Sequence, residues 1–118
     1  MLVIVDYKAG NLKSVERACR EVGVKAEISA DPEKIRQASR LIFPGVGAAG
    51  AAMASLRETG IDEAIREFFN LGRPVLGICL GLQISLNYSE ENHTKTLDLI
   101  SGEVKKFRLK ETGLKIPQ

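Results

Sequence analysis

Residues 74–83 read Pro74-Val75-Leu76-Gly77-Ile78-Cys79-Leu80-Gly81-Leu82-Gln83, and their order decides the fold. Residues 74–78 form a short apolar run, which suits a strand buried on both faces of a parallel sheet. A helix over residues 80 to about 87 follows without a spacer. A strand that passes straight into a helix needs a tight turn, here Gly77-Ile78-Cys79-Leu80-Gly81. This G-x-C-x-G order has the form of a nucleophile elbow. Its flanking glycines clear room for a strained turn that lifts the central side chain into the open. The positive end of the following helix favours a thiolate at Cys79. The next residue, Leu80, is placed to offer its backbone N–H to a developing oxyanion. A cysteine that served only as a small buried hydrophobe would not need glycines on both sides.

Outward from this turn the same unit repeats. Residues 2–5, 26–28 and 41–43 are further short apolar strands. The helix predicted from Leu12 carries Leu12, Val15, Ala18, Cys19 and Val22 on one face, with Asn11 as N-cap and Gly23 as the stop. Cys19 on that stripe reads as core. Asp31-Pro32-Glu33 opens a second helix as N-cap, first-position proline and first-turn acid. A weak alanine-rich helix spans residues 50–59 and stops at Gly60. Another, opened by Asp62 and Glu63, closes at Gly72. After Tyr88 the pattern changes: residues 89–96 read as a polar loop, and 103–107 and 114–117 as strand-like. Alternating strands and helices predict an α/β fold, an open, mostly parallel sheet with helices on both faces, in one domain over residues 1–118.

In such a sheet, chemistry collects beyond the carboxyl ends of the strands. A second glycine-rich turn lies there, Pro44-Gly45-Val46-Gly47. It lets a substrate approach the main chain, and one of its N–H groups could be a second oxyanion donor. Alone it is weak evidence; beside G-x-C-x-G it is much stronger. It is not a dinucleotide loop, because no G-x-G-x-x-G or P-loop lysine is present.

Composition narrows the field. The chain has 118 residues, 44% hydrophobic and 27% charged, which excludes intrinsic disorder and a disulfide-dense miniprotein. Seventeen basic against fifteen acidic side chains leave a net charge of +2, too even for a nucleic-acid partner. No apolar run approaches the roughly 20 residues that span a bilayer. Asp6 interrupts what would be the core of a signal peptide, so the expectation is no membrane and a cytoplasmic protein with reduced thiols. Cys19 and Cys79 lie in unrelated contexts and form no metal or redox pair.

Asp6-Tyr7 with Gly10-Asn11, then Pro44-Gly45-Val46-Gly47, Gly77 to Gln83 and Ser89-Glu90-Glu91 resemble the class I glutamine amidotransferases, a flavodoxin-like fold. Within that class they look most like the glutaminase subunits of imidazole glycerol phosphate synthase, from histidine biosynthesis. The resemblance runs from Met1 to Gln118. It implies Cys79 as the nucleophile toward glutamine and the Val46 and Leu80 backbone amides as the oxyanion hole. In such relatives the Val46 peptide is thought to reorient when the partner is engaged. The resemblance further implies Gly45, Gly47, Gln83 and Glu91 as the glutamine site and Gly10 and Asn11 as the turn facing a cyclase subunit, a barrel that receives the ammonia. No metal or organic cofactor is implied. Two departures stand out. Lys8-Ala9 replaces a smaller pair, and the downstream His-x-Glu of the family has no counterpart, since the single histidine, His93, precedes Thr94-Lys95. The resemblance therefore covers a little over half of such a subunit, its C-terminal part missing, and implies that these residues alone do not turn glutamine over. The alternative is a non-catalytic α/β binding module that keeps the partner surface.

Overall fold

A computed structural model describes residues 1–107 of the chain. Its elements are β1 Leu2–Val5, α1 Leu12–Glu21, β2 Ala26–Ser29, α2 Pro32–Gln37, β3 Arg40–Phe43, α3 Ala49–Thr59, α4 Ile61–Asn70, β4 Val75–Gly77 and α5 Leu80–Ile84. Three two-residue strands follow: β5 Tyr88–Ser89, β6 Thr94–Lys95 and β7 Glu103–Val104, with a 3-10 turn at Glu91–His93. The sheet runs in the order β2-β1-β3-β4 and is parallel throughout. Ile4 lies level with Ile28 and Ile42, and Ile42 with Leu76.

Alternation along the strands splits the core in two. Val3, Val5, Leu41 and Phe43 pack beneath α2, α3 and α4 through Ile35, Met53, Leu56, Ile61, Ile65 and Phe68. Leu2, Ile4 and Ile42 face the other way, against Cys19, Leu12 and Val15 of α1. Helices thus cover both faces. The punctuation works as the residues suggest. Asn11 Oδ1 accepts from Ser14 N–H at 3.4 Å and Asp31 Oδ1 from Glu33 N–H at 2.9 Å. Gly60, at φ 75°, ends α3 and begins α4.

Four expectations change. Val22 is not on the buried stripe: α1 ends at Glu21, Val22 caps it and is 75% exposed, and Val24 packs instead. Ala18 is also exposed. The last helix stops at Ile84 rather than 87 because a returning segment captures its carbonyls. Leu97 N–H donates to Ile84 O (2.8 Å), Leu99 N–H to Ser85 O (3.0 Å) and Asp98 N–H to Leu86 O (2.8 Å). Residues 89–96 are not a plain loop, since β5 pairs antiparallel with β6 and parallel with β7. The strand expected over 103–107 keeps only Glu103–Val104, and the one at 114–117 lies outside the described residues. No helix among the described residues is long and apolar enough to cross a membrane.

Candidate active site

The turn from β4 to α5 holds Cys79 at φ 53°, ψ −120°, a left-handed backbone that a cysteine adopts only under strain. Its side chain is exposed. The glycines explain how so tight a turn closes. A Cβ on Gly81 would sit 1.8 Å from the Phe43 carbonyl oxygen, so only hydrogen fits where α5 meets the end of β3. A Cβ on Gly77 would lie 3.0 Å from Leu82 Cα. The Ile78 N–H donates to that same Phe43 carbonyl at 3.0 Å, locking the elbow onto the neighbouring strand.

The 44–47 turn leaves β3 beside it. Pro44 and Gly45 are buried, whereas Val46 is 63% exposed and Gly47 has φ 121°. Gly45 is wedged: a Cβ there would meet the Tyr7 hydroxyl at 1.9 Å and Leu80 Cβ at 3.2 Å. The Gly45 carbonyl accepts the Leu80 N–H at 3.1 Å. One of the two expected oxyanion donors is therefore engaged within the protein rather than open to a ligand. Tyr7 donates its hydroxyl to the Pro44 carbonyl at 2.6 Å. Burial pushes this phenol well above the ordinary tyrosine range, so it remains a donor.

The far end of the turn is held from another direction. Ala48, the N-cap of α3, brings no capping side chain. Glu91 Oε1 instead accepts the Ala49 N–H at 2.6 Å, and Asn92 Oδ1 accepts the Gly50 N–H at 3.1 Å. Glu91, expected as a glutamine contact, caps a helix here. Gln83 is exposed one turn beyond Cys79, with its N–H on the Cys79 carbonyl at 3.0 Å. Gly10 is placed so that a Cβ would lie 3.3 Å from Gly45 Cα and 3.4 Å from Val46 N, which sets the first turn directly against the second. Asn11 caps α1. The exposed His93 ring pairs through Nδ1 with the Tyr88 hydroxyl at 3.2 Å, not with Cys79.

Cys79, Leu80, Gly45, Val46 and Gly10 therefore meet in one neighbourhood, flanked by Glu91. Sequence reasoning gave no role to Tyr7 or Asn92. Tyr7 had a signal, since it continues the Val3, Val5 alternation of a buried strand past that strand's end. Asn92 had none, because its capping contact bridges 42 residues. Among the described residues no cluster of three His, Cys, Asp or Glu side chains could hold a metal ion.

The chain matches the family model "Glutamine amidotransferase class-I" over residues 3–115. It is 56% identical over 107 residues to the imidazole glycerol phosphate synthase subunit HisH of Nitratidesulfovibrio vulgaris (strain DP4), covering 91% of this chain and 50% of that one. The chain thus spans about half the length of the curated relatives it matches. Among solved structures, it is similar to a glutamine amidotransferase crystal structure (TM-score 0.67, 22% identity, 80% of this chain and 50% of that one). It is also similar to a Listeria monocytogenes EGD-e protein provisionally assigned to peptidase E (TM-score 0.69, 15% identity, 84% and 62%). These two likenesses concern the fold.

Proposed function

Because the chain belongs to the class I glutamine amidotransferase family, we propose that it works as the glutaminase subunit of imidazole glycerol phosphate synthase. It would hydrolyse glutamine and hand the ammonia to a cyclase barrel subunit in histidine biosynthesis. The observation that carries this reading is the exposed, strained Cys79 between Gly77 and Gly81, beside the Pro44-Gly45-Val46-Gly47 turn. A relative named as a subunit of that synthase, at 56% identity, favours it over other members of the family.

In this reading the Cys79 thiolate attacks the side-chain amide carbon of glutamine. The C–N bond breaks, ammonia leaves with a proton from a general acid, and a thioester remains. Water then attacks the thioester, releases glutamate and restores the thiol. The oxyanion formed on each attack needs two donors, and the Val46 and Leu80 N–H groups fill that role. The Gly45 carbonyl and the Val46 N–H belong to one peptide unit. Turning that peptide would free Leu80 and deliver Val46 together, which supports a resting site that opens on demand. Gly47, Gln83 and Glu91 would hold the substrate, and Gly10 and Asn11 would meet the partner. His93 bonds to Tyr88, so the base that the thiol needs is proposed to be a His-x-Glu pair outside residues 1–118.

The test is covalent. An electrophilic glutamine analogue, such as a chloroketone, should label Cys79, and excess glutamine should protect it. A Cys79→Ser protein should take no label while still binding the cyclase. Equal labelling of Cys79 and the buried Cys19, or none of the protection, would sink the reading and leave the binding module.

A further inference from the structure

Tyr7 lies two residues past the end of β1, is only 2% exposed, and reaches under the 44–47 turn. Three contacts fix it. Its ring packs on Phe43 with centroids 5.2 Å apart and planes at 51°, and its carbonyl accepts the Ser55 hydroxyl at 2.9 Å. Its own hydroxyl donates to Pro44 O at 2.6 Å. The ring accounts for burial, but the hydroxyl does something the ring does not: it pins the Pro44–Gly45 peptide. The very next peptide, Gly45–Val46, carries the carbonyl that occupies Leu80 N–H. Rotation of that unit about ψ of Gly45 and φ of Val46 leaves the Pro44 carbonyl in place. A fixed Pro44 carbonyl confines the rotation to one peptide, and Gly45, with hydrogen where a Cβ would strike the Tyr7 hydroxyl at 1.9 Å, is the residue that lets tyrosine come so close. The other end of the turn is held by Glu91 and Asn92 at the start of α3, so the segment free to turn lies between two anchors.

We infer that Tyr7 is a positioning residue for the oxyanion site, its hydroxyl anchoring Pro44 so that the Gly45–Val46 peptide presents its carbonyl or its N–H to the elbow in a defined place. This rests on the glutaminase reading for its catalytic consequence, though not for the anchoring itself. Precision at such donors matters because they act only when aimed at the developing charge.

Tyr7→Phe keeps the ring and removes the anchor. In the full-length subunit, amide exchange at Leu80 should accelerate about tenfold, the scale of one lost hydrogen bond, relative to parent. The Leu41 amide, bonded to the Pro74 carbonyl at 3.0 Å in the sheet, is the control and should not change. With the cyclase present, kcat for glutamate release should fall about tenfold while KM for glutamine stays within about twofold. Leu80 and Leu41 accelerating together would mean general loss of core packing and would overturn the inference. So would an unchanged Leu80 amide, or an unchanged kcat in an active enzyme. A parent that releases no glutamate defeats the glutaminase reading separately, and the ratio of Leu80 to Leu41 exchange then still decides whether Tyr7 anchors the turn.

Discussion

A single hydrogen atom decides whether the elbow can form. At Gly81 the place of a Cβ is taken by the Phe43 carbonyl oxygen, 1.8 Å away, and that oxygen is backbone and cannot step aside. Gly81→Ala should therefore destabilise the protein by about 3 kcal/mol or more, at the upper end of single substitutions, or prevent folding. Urea denaturation of the soluble variant checks this, and a loss below about 1 kcal/mol would show that the elbow can shift off β3. At Tyr7 the prediction concerns pH. Burial raises the folded phenol's pKa, so the folded state holds a proton that the unfolded chain releases above its ordinary value of about 10. The contribution is whole below pH 10 and is lost as pH rises through the alkaline range, by about 1.4 kcal/mol per pH unit. Tyr7→Phe should lack this part of the alkaline limb in stability measured from pH 9 to 12. A limb identical to the parent's would mean the phenol ionises freely in place. The strained, exposed turn at Cys79 was legible from sequence because glycines at both sides have a local cause. Tyr7's role was not, because a tyrosine beyond a buried strand looks like any other core residue until its hydroxyl partner, 37 residues away, is known.

Elements show the same division. The helices α1, α2, α3 and α4 were readable because each carries its own periodicity or punctuation. Where an element is finished by something distant, sequence fell short: α5 ends early because residues 97–99 take the carbonyls of residues 84–86, and β5 and β6 are two-residue strands with no hydrophobic period. The start of α3 is the instructive case. Its N-cap position holds Ala48, and its first two N–H donors, those of Ala49 and Gly50, are met by Glu91 and Asn92. Asn92 sits at φ 58°, a left-handed conformation that asparagine tolerates better than most residues. Asn92→Ala should cost about 1 kcal/mol, both as a lost cap and as a poorer left-handed residue. Because α3 begins two residues after Gly47, the same change should loosen the far end of the 44–47 turn. Thermal unfolding measures the first effect, and amide exchange at Ala49 and Gly50 the second. Protection at both amides equal to the parent's would show that the cap is not used.

At the scale of the molecule, the parallel sheet with helices on both faces followed from alternation alone, but the completeness of its cover did not. Strand β3 is well covered: Leu41, Ile42 and Phe43 are all buried, at 1%, 9% and 0% exposure. The weakness lies one strand further out. β4 ends the sheet order among the described residues, and Leu76, level with Ile42 on the α1 face, is 57% exposed. Helix α1 packs over β1 and Ile42, and on the β4 side its cluster includes only the partly buried Ile78, one residue past that strand. An exposed leucine on an outer strand joins two features that promote association, apolar surface and unpaired backbone groups along an edge. The 118-residue chain should therefore self-associate in a concentration-dependent manner. Leu76→Lys places a charge on that face while giving up little buried area, and charged side chains are the usual protection of open edges. It should move the chain toward monomer with an unchanged circular dichroism spectrum. Sedimentation velocity over a range of concentrations measures both forms, and a parent chain that stays monomeric throughout would show that β4 and Leu76 are covered in solution.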